Sequence, residues 1–209
     1  VGPFSRRQVA LVALTAVVVA GILFLATRPL GSPADLSLPN PQPTPYLVGP
    51  ATEGLAIGAP APELVGTRPD GTPFQLTDLD GRSLRLADLR GHLVWLNFWA
   101  TWCPPCQAET PVLRATYEAY RQRGLVLIGI AVQESSVDDV RAYAQAYGLT
   151  YPIGWDVEAV VFHRYRVYAL PTQFFIDGNG ILRAIVQGPL DASRARRLVE
   201  SLLPASPAP

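Results

Sequence analysis

Hydrophobicity divides the chain into a uniformly apolar stretch, a proline-studded stretch and a long segment where apolar runs alternate with amphipathic ones. Residues 9–27 (VALVALTAVVVAGILFLAT) carry no charge. As a helix rising roughly 1.5 Å per residue they span about 28 Å, close to a hydrocarbon core of roughly 30 Å. The stretch is apolar on every side, unlike an amphipathic core helix. Arg6 and Arg7 precede it and only Arg28 follows it closely. The positive-inside rule therefore predicts a cytoplasmic N-terminus over 1–8, a single-pass anchor over 9–27 and an extracytoplasmic remainder at the cell membrane. A cleaved signal peptide is the competing reading. Its apolar region is usually about 7–15 residues long and ends at a small-x-small site, and FLAT and PLGS match that pattern imperfectly.

Residues 28–54 contain prolines at 29, 33, 39, 41, 43, 45 and 50, which rule out a regular helix or a central strand. This segment reads as an extended linker, at about 3.1 Å per residue where it adopts polyproline-like geometry. The tail 204–209 (PASPAP) reads as disordered. Residues 55–203 remain, enough for one well-packed domain.

Within that domain Leu93–Trp99 (LVWLNFW) is almost continuously apolar, as expected of a strand buried on both faces. Residues 104–123 read as a helix, kinked at Pro111. Leu125–Val132 is a second buried strand. Ser136-x-x-Asp139 resembles a capping box opening a helix to about Tyr147. Residues 158–165 read as a short helix. Gln173–Ile176 and Ile181–Gln187 flank Asp177-Gly-Asn-Gly and read as a hairpin. Asp191 is placed to cap a last helix with an inward stripe of Leu198, Val199 and Leu202. Ahead of these, Phe74–Thr77 and Ser83–Leu86 suggest an added hairpin. The order β-α-β-α-β-β-α implies an α/β sandwich around a mixed sheet.

Composition narrows the function. Formal net charge is zero, with no block of like charges, so nothing points to nucleic acid. Every basic side chain counted is arginine, and methionine is absent; neither carries a functional meaning here. Cysteine occurs only as Cys103 and Cys106. A bridge between residues three apart closes too short a loop to constrain the unfolded chain much, so chemistry is the stronger reading. A zinc site would need about four ligands. No second C-x-x-C exists, and His92 and His163 are not in a ligand pattern.

Trp102-Cys103-Pro104-Pro105-Cys106 follows a buried strand and opens a helix, the context that gives C-x-x-C a redox meaning. At a helix start Cys103 meets unpaired N–H groups and the positive end of the dipole, which favour thiolate. Pro104 stands where a missing N–H costs nothing. Cys103 is expected to be the exposed nucleophile, with a pKa below the free value of about 8.5. Cys106, one turn in, is expected to be the buried resolving thiol.

The run LNFWATWCPPCQAETP, followed by ALPTQFFID at 169–177, resembles the thioredoxin superfamily, and within it the TlpA/ResA/DsbE group of membrane-tethered proteins with a redoxin or AhpC-TSA-like domain. The resemblance spans roughly residues 57–190. It implies a thioredoxin-like α/β sandwich with a mixed central sheet, an added N-terminal β-hairpin and a central αβ insertion, preceded by one transmembrane helix. It also implies that Pro171 is cis and packs against the Cys103–Cys106 disulfide, with the Leu170 backbone pairing with substrate and Trp102, Pro104 and Pro105 completing the docking face. No cofactor is implied beyond that disulfide. Asn97 stands where thioredoxins carry a buried aspartate, so another base must serve Cys106. Glu109, three residues after Cys106 and on the same side of the helix, matches a glutamate that some ResA-like proteins place beneath the site. It is expected to be partly buried with a raised pKa; the alternative is a solvated carboxylate.

Members of this group typically reduce apocytochrome c or other extracytoplasmic cysteines, and a membrane electron donor of the CcdA/DsbD type recharges them. The expected partners are thus protein thiols and disulfides. The alternatives are a disulfide-forming oxidase, a thiol peroxidase and a tethered copper chaperone for an oxidase. The peroxidatic pattern P-x-x-x-T-x-x-C is absent, because Thr101 lies two residues before Cys103.

Overall fold

The computed structural model describes residues 6–26 and 55–203, with side chains in the first segment described for 14–24 only. The expected linker 28–54 and tail 204–209 lie outside the described residues, as do residues 1–5 of the N-terminus. Two units result, 1–48 and 49–209, and each stands by itself. In the first, helix α1 runs Arg6–Ala26, and residues 14–24 are exposed, Val17 and Phe24 among them. Among the described residues no helix is long and apolar enough to cross a membrane; the expected anchor 9–27 lies partly outside them.

The second unit is built on five strands in the order β5-β4-β3-β6-β7: β3 Leu93–Trp99, β4 Leu125–Val132, β5 Ile153–Asp156, β6 Thr172–Ile176 and β7 Leu182–Gln187. β3, β4 and β5 run parallel, while β6 pairs antiparallel with both β3 and β7. The sheet is therefore mixed, as expected. Helix α2 (Pro104–Tyr120) links β3 to β4, and α3 (Val137–Tyr147) links β4 to β5. A short α4 (Val160–Arg164) precedes β6, and α5 (Ala192–Leu202) closes the domain.

All seven residues of β3 are buried, so its alternating side chains supply two cores. One face carries Leu93, Trp95 and Trp99 against Leu113 of α2, Val140 of α3 and Val199 of α5. The other carries Val94, Leu96 and Phe98 against Val161 of α4 and the N-terminal residues Leu64, Phe74 and Leu76. On this second face Phe98, Tyr165 and Phe174 form an aromatic trio with centroids 4.9–5.6 Å apart.

Helix α2 runs through Pro111 without a break and ends in a 3-10 turn over Arg121–Arg123. Ser136 caps α3 by accepting from Asp138 N at 3.0 Å. The reciprocal half of the expected capping box is missing, because Asp139 accepts from Ser135 Oγ at 3.5 Å instead. Asp191 caps α5, accepting from Arg194 N at 2.8 Å.

One expectation is corrected. The added hairpin forms from β1 (Val65–Thr67) and β2 (Pro73–Gln75), not from Phe74–Thr77 with Ser83–Leu86. The latter pair keeps only a bridge at Thr77 and Ser83, and Leu86–Leu89 is a 3-10 turn. The reason is side-chain competition for the backbone: Asp78 Oδ1 accepts from Asp80 N and Arg82 N, a tight Asx-type turn. Leu76 N donates to Leu64 O, and Gln75 Nε2 takes its place on Leu84 O, so of the Leu76–Leu84 pair only the bond from Leu84 N to Leu76 O remains. The central αβ insertion is present as expected: it consists of α3 and the strand β5, whose position the local pattern does not mark. β5 is four residues long and contains Gly154, where a Cβ would come within 2.8 Å of Leu76. Close approach of the N-terminal segment thus demands the residue that most weakens a strand signal.

Candidate active site

Strand β3 ends at Trp99, and the chain turns through Ala100–Trp102 into α2. Glu134, just past β4, fastens this turn: its carboxylate accepts from Thr101 N and, at 2.8 Å, from Thr101 Oγ1. Trp102 Nε1 donates to Gln133 O at 3.0 Å, and Gln107 Nε2 donates to Thr101 O at 2.6 Å. Cys103 is the N-cap residue of α2, its Sγ accepting from Cys106 N at 3.3 Å. Cys103 and Cys106 are joined in a disulfide with Cα atoms 5.2 Å apart.

The exposed Cys103 expected from the sequence is corrected: in the disulfide state both cysteines are only 3 % exposed. Access still distinguishes the two. Cys103 lines a shallow open groove with Trp102, Pro104, Pro105, Tyr168 and Leu170, whereas Cys106 does not. Trp102 and Tyr168 are the exposed aromatic walls, at 55 % and 70 %. The Leu170–Pro171 peptide is cis. Pro171 O accepts from Gly188 N at 2.8 Å, tying the proline to the end of β7.

Below the groove lies a buried polar cluster on the α2 side of the sheet. Glu109 is 2 % exposed. Its Oε1 accepts from Gln173 Nε2 at 2.7 Å and from Leu190 N at 3.2 Å. Its Oε2 is buried with no hydrogen-bond partner among the described residues. Burial pushes the Glu109 carboxyl from 4.5 up to about 8, against the downward pull of the Leu190 and Gln173 donors. The expected solvated alternative for Glu109 is thereby set aside. Gln173 is itself held: its Oε1 accepts from Trp95 Nε1 at 2.8 Å and from Asn97 Nδ2 at 2.9 Å. Tyr151, between α3 and β5, feels the Glu109 charge, and its hydroxyl is pushed to higher pKa mainly by burial. On the next turn of α2, Thr110 Oγ1 donates to Cys106 O at 2.9 Å and shares a hydrogen bond with Tyr143 OH at 2.8 Å. Among the described residues no group of three His, Cys, Asp or Glu side chains could hold a metal ion.

Glu109, Cys106 and Pro171 are thus residues the sequence reading singled out. Gln173 and Glu134 are ones it missed. Gln173 had a signal: a long amide side chain in an otherwise apolar strand, paired in register with Asn97. Glu134 had none, because its role depends on how β4 ends beside β3.

Comparison with known proteins agrees with this geometry. The AhpC/TSA family model matches residues 65–185. The thiol-disulfide oxidoreductase ResA of Geobacillus kaustophilus is 38% identical over 150 residues, covering 72% of this chain and 80% of the relative. ResA of Geobacillus thermodenitrificans is 37% identical with the same coverage. Among solved structures, a thiol:disulfide interchange protein of the thioredoxin family from Chlorobium tepidum superposes with a TM-score of 0.60 at 28% identity, covering 71% of this chain and 99% of that one. With two cysteines bridged at the head of a helix, a groove shared by Cys103 and the Leu170 of a cis Leu170–Pro171 peptide, and a thioredoxin-like sheet, the chain belongs to the AhpC/TSA family and is a thiol–disulfide oxidoreductase related to ResA.

Proposed function

We propose that this oxidoreductase reduces protein disulfides outside the cytoplasm, with apocytochrome c as the model substrate, while tethered to the cell membrane by residues 9–27. In the reduced enzyme the Cys103 thiolate attacks one sulfur of a substrate disulfide and expels the other as thiolate. Cys106 then loses its proton and attacks Cys103 Sγ, releasing the second substrate thiolate and leaving the Cys103–Cys106 disulfide. Two electrons pass to the substrate, and a membrane donor of the CcdA/DsbD type returns them. Trp102, Pro104, Pro105 and Leu170 form the docking face, with the Leu170 backbone pairing to the substrate and Pro171 packed beside the disulfide.

The observation that carries this reading is the unpartnered Oε2 of Glu109, one helical turn after Cys106. A buried acceptor with a proton affinity raised to about 8 is well matched to a thiol near roughly 8.5, and matched affinities make proton transfer efficient. Glu109 therefore serves as the acceptor when Cys106 attacks. The reductive direction is supported by the resemblance of the WCPPC and ALPTQFFID motifs to reductants of the TlpA/ResA/DsbE group. The anchor is supported by the charge-free run at 9–27, within which α1 is helical to Ala26.

Equilibration of the full chain with thiol redox buffers, read by alkylation of Cys103 and Cys106, tests the direction. The expected potential lies well below the roughly −180 mV of protein disulfide isomerase; a value near the roughly −120 mV of DsbA rejects a reductant.

A further inference from the structure

Glu109 has one paired and one unpaired oxygen, and what sets that asymmetry is the amide of Gln173. An indole N–H is a donor only. The Gln173 atom 2.8 Å from Trp95 Nε1 must therefore be oxygen. Asn97 Nδ2 donates to the same oxygen at 2.9 Å. The amide cannot turn over without facing N–H against N–H at a buried position, so its NH2 is obliged to face Glu109 Oε1. Leu190 N, fixed by the backbone entering α5, donates to the same Oε1. Both donors favour the carboxylate over the carboxylic acid, and neither leaves room for a proton on Oε1.

We infer that Gln173 is a positioning residue for the disulfide chemistry: locked by Trp95 and Asn97, it holds Glu109 as a proton acceptor and directs the proton to Oε2. Asn97 thus acts on the site without titrating, by fixing a neighbour's polarity. The inference deepens the proposed role of Glu109 and rests on it for its kinetic consequence, though not for its effect on Glu109 itself. The groups facing Glu109 are Tyr151 from the segment before β5, Gln173 from β6 and the Leu190 N–H before α5, with Cys106 three residues back on the same side of its own helix. No cationic side chain bonds to it among the described residues, so the amide is its principal side-chain stabiliser. Burial raises its proton affinity and Gln173 opposes that rise.

Two readouts on the full chain separate the inference from the reading beneath it. The first is direct titration of Glu109 by carboxyl-carbon NMR, assigned with Glu109→Gln. In the unsubstituted protein the Gln173 side-chain NH2 resonances are expected to shift with the same midpoint as Glu109. Gln173→Met, which keeps bulk and removes the donor, is expected to move that midpoint alkaline by about one pH unit or more, the worth of one hydrogen bond to a charge. The double variant Trp95→Phe/Asn97→Leu, which frees the amide to turn over, is expected to move it in the same direction by less. The second readout is the rate of mixed-disulfide resolution against pH. It is expected to follow the same alkaline shift, falling about tenfold at pH 7 for each unit. A midpoint unchanged or acid-shifted in the variants, or Gln173 NH2 signals indifferent to Glu109 titration, overturns the inference; the NH2 measurement needs no variant to fold. A shifted midpoint with an unshifted rate profile upholds the Gln173–Glu109 coupling and rejects Glu109 as the base for Cys106.

Discussion

Glu109 and Asp156 are both buried carboxyl groups, on opposite sides of the sheet, and they are partnered differently. Asp156 is fully enclosed at the end of β5. Its Oδ1 accepts from Val160 N at 2.8 Å and its Oδ2 from Phe162 N at 2.7 Å, so each oxygen ties down the start of α4. Glu109 has both its bonds on one oxygen and none on the other. Burial raises both pKa values. Burial therefore does not distinguish a chemical carboxylate from a structural one. The unsatisfied oxygen does, because a buried acceptor left without a donor is costly and persists where a proton must come and go.

That contrast can be broken most directly through stability against pH. Folded Glu109 keeps its proton up to about pH 8, whereas the unfolded chain releases it near 4.5. Between those values the folded state binds more protons, so stability falls as pH rises, by about 1.4 kcal/mol per unit at most. Glu109→Gln is expected to remove this slope and to be more stable than the parent by a few kcal/mol at pH 8, in urea titrations at several pH values. Equal slopes for parent and variant would erase the distinction drawn here. Asp156→Ala is expected to cost about 1–3 kcal/mol for each backbone N–H left unpaired, while the pH profile of disulfide exchange stays where it was. A shift in that profile would show that the two sides of the sheet are not independent. Ser136→Ala, which removes an exposed cap from α3, supplies the small end of the scale at about 1 kcal/mol, measured as a change in urea midpoint without change in slope.

Much of the domain could be read before the structure, and the failures share a cause. Long buried strands such as 93–99 and 125–132 announce themselves because tertiary burial and local apolarity agree. The cysteine pair and the proline at 171 were legible as motifs tied to a strand and a helix start. The N-terminal hairpin was misplaced because Gln75 and Asp78 side chains bond backbone groups that strand pairing would otherwise use. β5 is implied by the family resemblance, but local pattern does not locate it, because Gly154 answers to Leu76, far away in sequence. Gln173 and Glu134 escaped for the same reason: their meaning lies in partners 64 to 78 and 33 residues away. Local pattern reports what a residue is, and only the sheet register reports what it faces.

The turn that carries Cys103 is held by Glu134 to Thr101, by Trp102 to Gln133 O and by Gln107 to Thr101 O. None of these bonds includes sulfur. The Cys103–Cys106 bridge is one covalent link, and opening it breaks none of these fastenings directly. The enzyme's reactive bond is thus absent from the list of supports on which its own geometry depends. Cleaving and remaking that bond at each turnover draws on none of these hydrogen bonds at the entrance to α2.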